Sequence, residues 1–389
     1  MSNFRLAWHH HREVTVTDST STRRDFLRAT GASLAAAPIA AATASAQAPT
    51  AAAPQKTFGY AIVGLGSLSQ GEILPAFLHT KRSRVTALVS SDPTKAKGLA
   101  AQYGVPDSGL YSYETFDRIA QNPAVDAVYI VLPNGMHAEY SVRASKAGKH
   151  VLVEKPMANT VAECDAMIAA AKAANKHLAV AYRLRFEPYT QAMIKMARDK
   201  EYGKSRVIVC DSGFNIGNPE QWRLTKKMGG GGSMMDIGIY SVNAARYLAG
   251  EEPTEVFAME STDRNDPRFK EVEDTLTFQL RFPSGALANC VSSYGCYLNR
   301  FRVHAEKGSF ELEPAWSRRG LGLRVFRGNT IESRTMREPD HFAALMDHLA
   351  ECAATGTRPV TDGEDGRNDM RVIEACYESV KTGRPVKLI

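Results

Sequence analysis

From Phe58 onward the chain alternates short apolar runs with segments of helical period. Phe58-Gly59-Tyr60-Ala61-Ile62-Val63 comes first, then Val85-Thr86-Ala87-Leu88-Val89, then Val125 to Val131, then Val151-Leu152-Val153. A helical segment, Pro93 to Tyr103, separates the second run from the third. Such alternation predicts a parallel, doubly wound sheet. Past residue 180 the pattern changes. Strand-like runs follow one another at Lys204 to Asp211, Glu255 to Ser261, Thr275 to Phe282, Ala286 to Ser292 and Phe301 to Ala305. Helical patterns return at Phe342 to Ala353 and Gly366 to Val380. Runs of strands after a βα half indicate a second domain. The expected domains are 58–180 and 181–389.

The first apolar run ends directly in Gly64-Leu65-Gly66-Ser67-Leu68-Ser69. Gly64 suits a tight turn, and Gly66 lets a pyrophosphate approach the backbone. Ser69 puts a small residue where a third glycine often packs helix on strand. Alone the motif is weak, because glycines also end strands for structural reasons. Its place between a strand and a helix strengthens it as a candidate dinucleotide site. The end of the second run then decides between cofactors. An NAD site usually carries Asp or Glu there for the ribose hydroxyls. Here Ser90-Ser91 stands in that place, with Asp92 set back and Lys95 beyond it. Hydroxyls and a lysine suit a 2′-phosphate that a carboxylate would repel, so NADP is expected.

Residues 1–48 read as an address. Thr22-Arg23-Arg24-Asp25-Phe26-Leu27-Arg28 is a twin-arginine pattern, followed by an alanine-rich stretch from Ala29 to Ala46. This is a signal-peptide layout, too short and too poor in Leu, Ile and Val for a membrane span. Cleavage is expected after Ala46, with Ala48 as the alternative, leaving a short arm at 49–57. The twin-arginine route carries folded proteins, which suits one that loads a nucleotide in the cytoplasm and works in the periplasm.

Composition adds limits. The 389 residues are 44% hydrophobic and 23% charged, enough for a sizeable core and two domains. The net charge of +6 comes from 48 basic against 42 acidic residues and is not gathered into a stripe, which argues against nucleic acid. None of the six cysteines stands at zinc or Cys-x-x-Cys spacing, so no metal is expected and buried thiols are.

Three further segments carry a family resemblance: Leu132-Pro133-Asn134-Gly135-Met136-His137, Val153-Glu154-Lys155-Pro156-Met157-Ala158 and Met235-Asp236-Ile237-Gly238-Ile239-Tyr240. With the Gly64 loop, the chain from Phe58 to its end resembles the glucose–fructose oxidoreductase and inositol dehydrogenase family. It is most similar to the glucose–fructose oxidoreductase branch, through Phe58 to Gly66, Gln221-Trp222-Arg223-Leu224, Gly250-Glu251-Glu252-Pro253 and Thr382-Gly383-Arg384-Pro385-Val386. That branch also carries twin-arginine leaders. The resemblance implies an α/β fold: an N-terminal Rossmann dinucleotide-binding domain, then a C-terminal α/β domain with a large, mostly antiparallel sheet. It implies cofactor contacts from Gly64, Gly66, Ser67, Leu68, Ser90, Lys95, Tyr113, Pro133, Asn134, His137, Glu154, Lys155 and Arg183, and sugar contacts from Trp222, Arg223, Asp236 and Tyr240. The branch has a long proline-rich arm associated with subunit contacts. Here only Gln47 to Lys56 follows the cut, so a homo-oligomer is expected with a dimer favoured over a tetramer.

Oxidising a sugar hydroxyl needs a base for its proton while the hydride leaves for a nicotinamide. Tyr240 is the expected acid/base. A tyrosine hydroxyl ionises only near pH ~10, and a neighbouring ammonium favours the phenolate; Lys155 is the expected source. If 232–247 is helical, Asp236 and Tyr240 share a face, and Asp236 holds a sugar hydroxyl or orients Lys155. Taken singly, each residue is as readily explained by packing or solvation. The expected activity is an NADP-dependent aldose oxidoreductase with bound cofactor, which oxidises one aldose at C1 to the lactone and reduces a second sugar to an alditol. The alternatives are a sugar dehydrogenase with exchangeable NADP and a non-catalytic sugar or nucleotide sensor.

Overall fold

The computed structural model describes residues 57–388. The expected leader, its cleavage sites and the short arm up to Lys56 lie outside the described residues.

The apolar runs of the first half form strands β1 (Phe58–Val63), β2 (Ser83–Val89), β3 (Leu110–Tyr111), β4 (Ala127–Ile130), β5 (His150–Val153) and β6 (Leu178–Val180), in one parallel sheet of order β3-β2-β1-β4-β5-β6. β1 and β4 are buried almost end to end, as strands covered on both faces must be. One face packs against helices His137–Lys146 and Val161–Ala173 through Tyr140, Ala144, Cys164 and Met167. The other carries Tyr60, Ile62, Leu88, Tyr129 and Leu152.

That second face is covered by a helix from beyond the expected boundary at residue 180. Helix His341–Thr355, far beyond residue 180, presents Phe342, Leu345, Met346 and Leu349 to it. The spacing makes one apolar helix stripe, and Tyr60 donates its hydroxyl to the Met346 carbonyl at 2.7 Å. The dinucleotide half is therefore completed from the C-terminal part of the chain.

The second half contributes β7 (Ser205–Gly213), β8 (Glu255–Ser261), β9 (Thr275–Arg281), β10 (Leu287–Ser293), β11 (Leu298–Ala305), β12 (Gly308–Leu312), β13 (Leu323–Arg327), β14 (Thr330–Arg334) and β15 (Val386–Lys387). They make a nine-stranded sheet of order β14-β13-β12-β11-β7-β10-β9-β8-β15. Every neighbouring pair is antiparallel except β7 with β10. In β9 exposed and buried positions alternate strictly, the mark of a sheet covered on one face. Helices Ile239–Ala249 and Gly363–Thr382 supply Val242, Ala245, Leu248, Met370, Ile373 and Cys376 to the core it shares. The short strands β3, β6 and β12 to β15 add to those that the apolar runs predict.

All six cysteines are free, and five are buried as expected; Cys296 is exposed, in the turn after β10. Among the described residues no helix is long and apolar enough to cross a membrane, and no cluster of side chains suits a metal ion.

Candidate active site

The C-terminal ends of the parallel strands open into one cleft of about 990 Å³, whose opposite wall comes from the second half. An open α/β sheet binds ligands at this edge, where the strand order reverses. That point lies between β1 and β4, and the glycine loop starts there.

The two loop glycines serve different ends. Gly64 has φ +92°, and a Cβ on it would sit 2.4 Å from the Val131 carbonyl oxygen. No other residue fits without displacing β4's end. A Cβ on Gly66 would meet nothing within 4 Å; its backbone faces the cleft. Ser69, fully buried, donates its hydroxyl to the Gly64 carbonyl at 2.5 Å. It ties the turn to the segment that follows, which opens as a π-helical turn at Ser69–Ile73. Open space at Gly66, a helix start beyond it and a cleft reaching from there to Lys155 fit an extended dinucleotide.

Gly64, Gly66, Ser67, Leu68, Ser90, Lys95, Tyr113, Pro133, Asn134, Glu154, Lys155 and Arg183 all line the cleft. His137 does not. It is fully buried, with Nδ1 2.8 Å from the Pro156 carbonyl and Nε2 2.9 Å from that of Leu132. Burial pushes its pKa down. It braces two wall loops from behind, so the expected cofactor contact is corrected to a supporting one. At the end of β2, Ser90 Oγ accepts from the Asp92 amide at 3.0 Å. Asp92 caps helix Pro93–Tyr103 by accepting from the Lys95 amide at 2.9 Å. Asp92 also lines the cleft, with the Lys95 ammonium 3.7 Å from its second oxygen.

At the other end, Lys155, Asp236 and Tyr240 come together across the two halves. Lys155 follows β5, where the Lys155–Pro156 peptide is cis. Its ammonium donates to Asp236 Oδ1 at 3.2 Å and to the Asp236 carbonyl, and lies 4.9 Å from the centre of the Tyr240 ring. Asp236 also forms an ion pair with Arg223 at 3.1 Å and accepts from the Tyr294 hydroxyl at 3.0 Å. Burial alone would push the Asp236 carboxyl up; the Lys155 and Arg223 cations outweigh it and hold the group below its usual range. Beside Lys155, burial pushes Glu154 up, against the 2.7 Å hydrogen bond it accepts from Tyr129.

The cation at the Tyr240 oxygen is not Lys155. Arg183 Nε donates to that hydroxyl at 3.2 Å. Arg183 also holds the Trp316 and Ser317 carbonyls, and the Trp316 ring stacks on Tyr240 at 6.1 Å. Asp236 and Tyr240 do share one continuous helical segment, but its first part, Met234–Gly238, is a π-helical turn rather than α. Such turns gather at functional sites. Glu273, which sequence reasoning missed, sets it in place. The carboxylate accepts from the Gly232 amide at 2.8 Å, the Met234 amide at 2.9 Å and the Tyr377 hydroxyl at 3.0 Å. Burial pushes Glu273 up against these bonds. Trp222, Arg223 and Tyr297 complete the outer wall, with Phe214 and Trp316; Tyr297, Phe214, Tyr294 and Trp316 carried no motif that would have marked them.

Comparison with known proteins identifies the family and the fold. Residues 58–182 match the oxidoreductase family with NAD-binding Rossmann fold, and residues 190–311 match the GFO/IDH/MocA C-terminal domain. The D-xylose 1-dehydrogenase [NADP(+)] of Haloarcula marismortui is 31% identical over 85% of this chain and 92% of its own length. The crystal structure of aldose-aldose oxidoreductase from Caulobacter crescentus, complexed with glycerol, is 53% identical, with a TM-score of 0.84, over 85% of this chain and 100% of that one. The 3-ketoreductase KijD10 from Actinomadura kijaniata, in complex with NADP and TDP-benzene, shares the fold at 22% identity and a TM-score of 0.74, over 83% and 98% of the two chains.

Proposed function

Because the chain belongs to the GFO/IDH/MocA family of sugar-processing oxidoreductases, we propose that it is an NADP-dependent aldose oxidoreductase that keeps its cofactor bound and cycles it between two sugars. One aldose is oxidised at C1 to the lactone; the hydride then passes to the carbonyl carbon of a second sugar, which becomes an alditol. The observation that carries the reading is the meeting of Lys155, Asp236 and Tyr240 at one end of a cleft whose other end is the glycine turn. The identity with an aldose-aldose oxidoreductase supports the two-sugar form.

When bound, the nicotinamide takes up the hydride from the first sugar and yields it to the second. The residues manage the proton and the oxygen. Tyr240 takes the C1 hydroxyl proton in the first half-reaction and returns a proton to the nascent alkoxide in the second. Arg183 stands at the Tyr240 oxygen and stabilises its negative charge. Lys155, oriented by Asp236, donates to the reacting sugar oxygen. Trp222, Trp316 and Tyr297 offer apolar faces to the sugar ring. Ser90 and Lys95, both lining the cleft at the end of β2, would hold a 2′-phosphate through a hydroxyl and an ammonium, which favours NADP over NAD. The protein is exported by the twin-arginine route already loaded, because free NADP is scarce outside the cytoplasm, and it works as a dimer in the periplasm.

The test is direct. Purified, undialysed protein should carry stoichiometric nicotinamide absorbance and should convert glucose with a second sugar, giving lactone and alditol, with no cofactor added. The D-xylose 1-dehydrogenase relatives favour one other reading, an exchanging dehydrogenase. Turnover only on addition of NADP would select it.

A further inference from the structure

We propose that Arg318 and Glu72 form a latch across the cleft that slows cofactor release, an inference that rests on the bound-cofactor reading above. Glu72 belongs to the π-helical turn that follows the glycine loop. Arg318 belongs to the long loop between β12 and β13, on the second half. Both line the cleft, and Arg318 Nη1 donates to Glu72 Oε1 at 3.0 Å. The pair joins the two walls of the cleft at its glycine-turn end.

A bridge restrains a ligand only if its piers are fixed, and both are. On one side, Ile73 and Leu74, next to Glu72, are fully buried in the first sheet's core, and Gln70 donates back to the Leu65 carbonyl at 2.8 Å. On the other, the residues before Arg318 are held at every turn. Asn299 Oδ1 accepts from the Ala315 and Trp316 amides at 2.7 and 2.8 Å, and Asn299 Nδ2 donates to Ser317 Oγ at 2.9 Å. The Trp316 indole donates to the Leu298 carbonyl at 2.9 Å. Arg183 holds the Trp316 and Ser317 carbonyls. The loop is thus rigid up to Ser317, and Arg318 reaches from its end to the other half. Arg183 also bonds the Tyr240 hydroxyl, so the pier of the latch and the acid/base share one guanidinium.

The charges suit this task. Glu72 is a carboxylate one helical turn from the loop that would bind pyrophosphate. Left alone it would repel that group. Paired with Arg318, its charge is neutralised and the cation is shared between the carboxylate and the phosphates. The bridge must open for the dinucleotide to leave. An ion pair exposed to this degree slows opening by a modest factor, about three- to fivefold, and does so less in high salt.

Release of NADPH tests this without any turnover. Loaded protein is mixed with excess NADP, and the fluorescence of bound NADPH is followed. Arg318→Ala and Glu72→Gln should each release NADPH about three- to fivefold faster than wild type, with the salt dependence of release largely lost. The charge-swapped pair Glu72→Arg with Arg318→Glu should recover most of the retention. If Arg318→Ala alone speeds release and Glu72→Gln does not, Arg318 is a phosphate ligand and the latch is wrong. Unchanged release in both variants also overturns it, as does failure of the wild type to bind NADPH. If instead the variants behave as expected but the wild type does not turn over sugar pairs, the latch stands and the two-sugar reading falls.

Discussion

At the glycine end of the cleft, position is set by the backbone. Gly64 holds φ +92° with the Val131 carbonyl against it, and Ser69 locks the turn from beneath. At the Lys155 end, position is set by side chains from distant segments. Lys155 and Arg223 converge on Asp236, Arg183 reaches Tyr240, and Glu273 clasps the turn that carries Asp236. The difference matters because the two arrangements fail differently. A backbone turn tolerates no added atom, yet needs no partner. An ionic cluster that loses one partner leaves the others uncompensated and loses the orientation on which proton transfer depends.

The largest effect is expected at the ionic end. Lys155→Ala should slow single-turnover reduction of bound cofactor by about 10²- to 10⁴-fold. Combined with Tyr240→Phe, the loss should be less than the product of the two, because the groups act on one oxygen and one proton. Strict multiplicativity would mean that they work separately.

Gly64→Ala and Gly66→Ala separate fold from ligand at the other end. The first should cost about 2–3 kcal/mol in urea unfolding, from strain and the clash with Val131. The second places its methyl in open cleft, so stability should hold while cofactor affinity falls. Equal stability losses would remove the distinction between the two glycines.

Lys95→Ala should weaken NADP about tenfold and NAD hardly at all. Equal binding of both cofactors by the wild type would overturn the reading of the β2 turn.

These two ends were also unequally legible. The glycine turn, the β1 and β2 runs and Lys155 after β5 are local, so spacing and residue type show them. The partnership of Arg183 with Tyr240 spans 57 positions and that with Ser317 spans 134. No local pattern encodes such distances. Lys155 was therefore expected at the Tyr240 oxygen, where Arg183 stands. Glu273 lies two residues before β9, and only its three accepted hydrogen bonds show its use. His137 misled for the opposite reason: it follows a wall loop in sequence, but the fold turns it inward. Helix His341–Thr355 follows the second half in sequence, while its apolar stripe packs on the first sheet.

The smallest effect is one of pH. Asp236 has a folded pKa below its ordinary value, so the unfolded chain binds the proton more readily. Its contribution to stability is full above an unfolded pKa of about 3.9 and is lost as pH falls through the folded value. Asp236→Asn should flatten the acid side of the stability curve in that window. An unchanged slope would mean that the Lys155 and Arg223 pairs do not hold in solution.

The claim that Tyr240 is the proton-transfer group is tested most directly by Tyr240→Phe in a single turnover. The variant keeps the ring and its stacking on Trp316 but loses the hydroxyl that Arg183 binds. Loaded protein is mixed with glucose, and the absorbance of the reduced nicotinamide is followed. The account predicts a rate lower by about 10²-fold or more, with cofactor affinity unchanged. A packing role alone would lower stability by about 1 kcal/mol and leave the rate as in wild type. A wild-type rate would contradict the account and leave only the fold and the cleft.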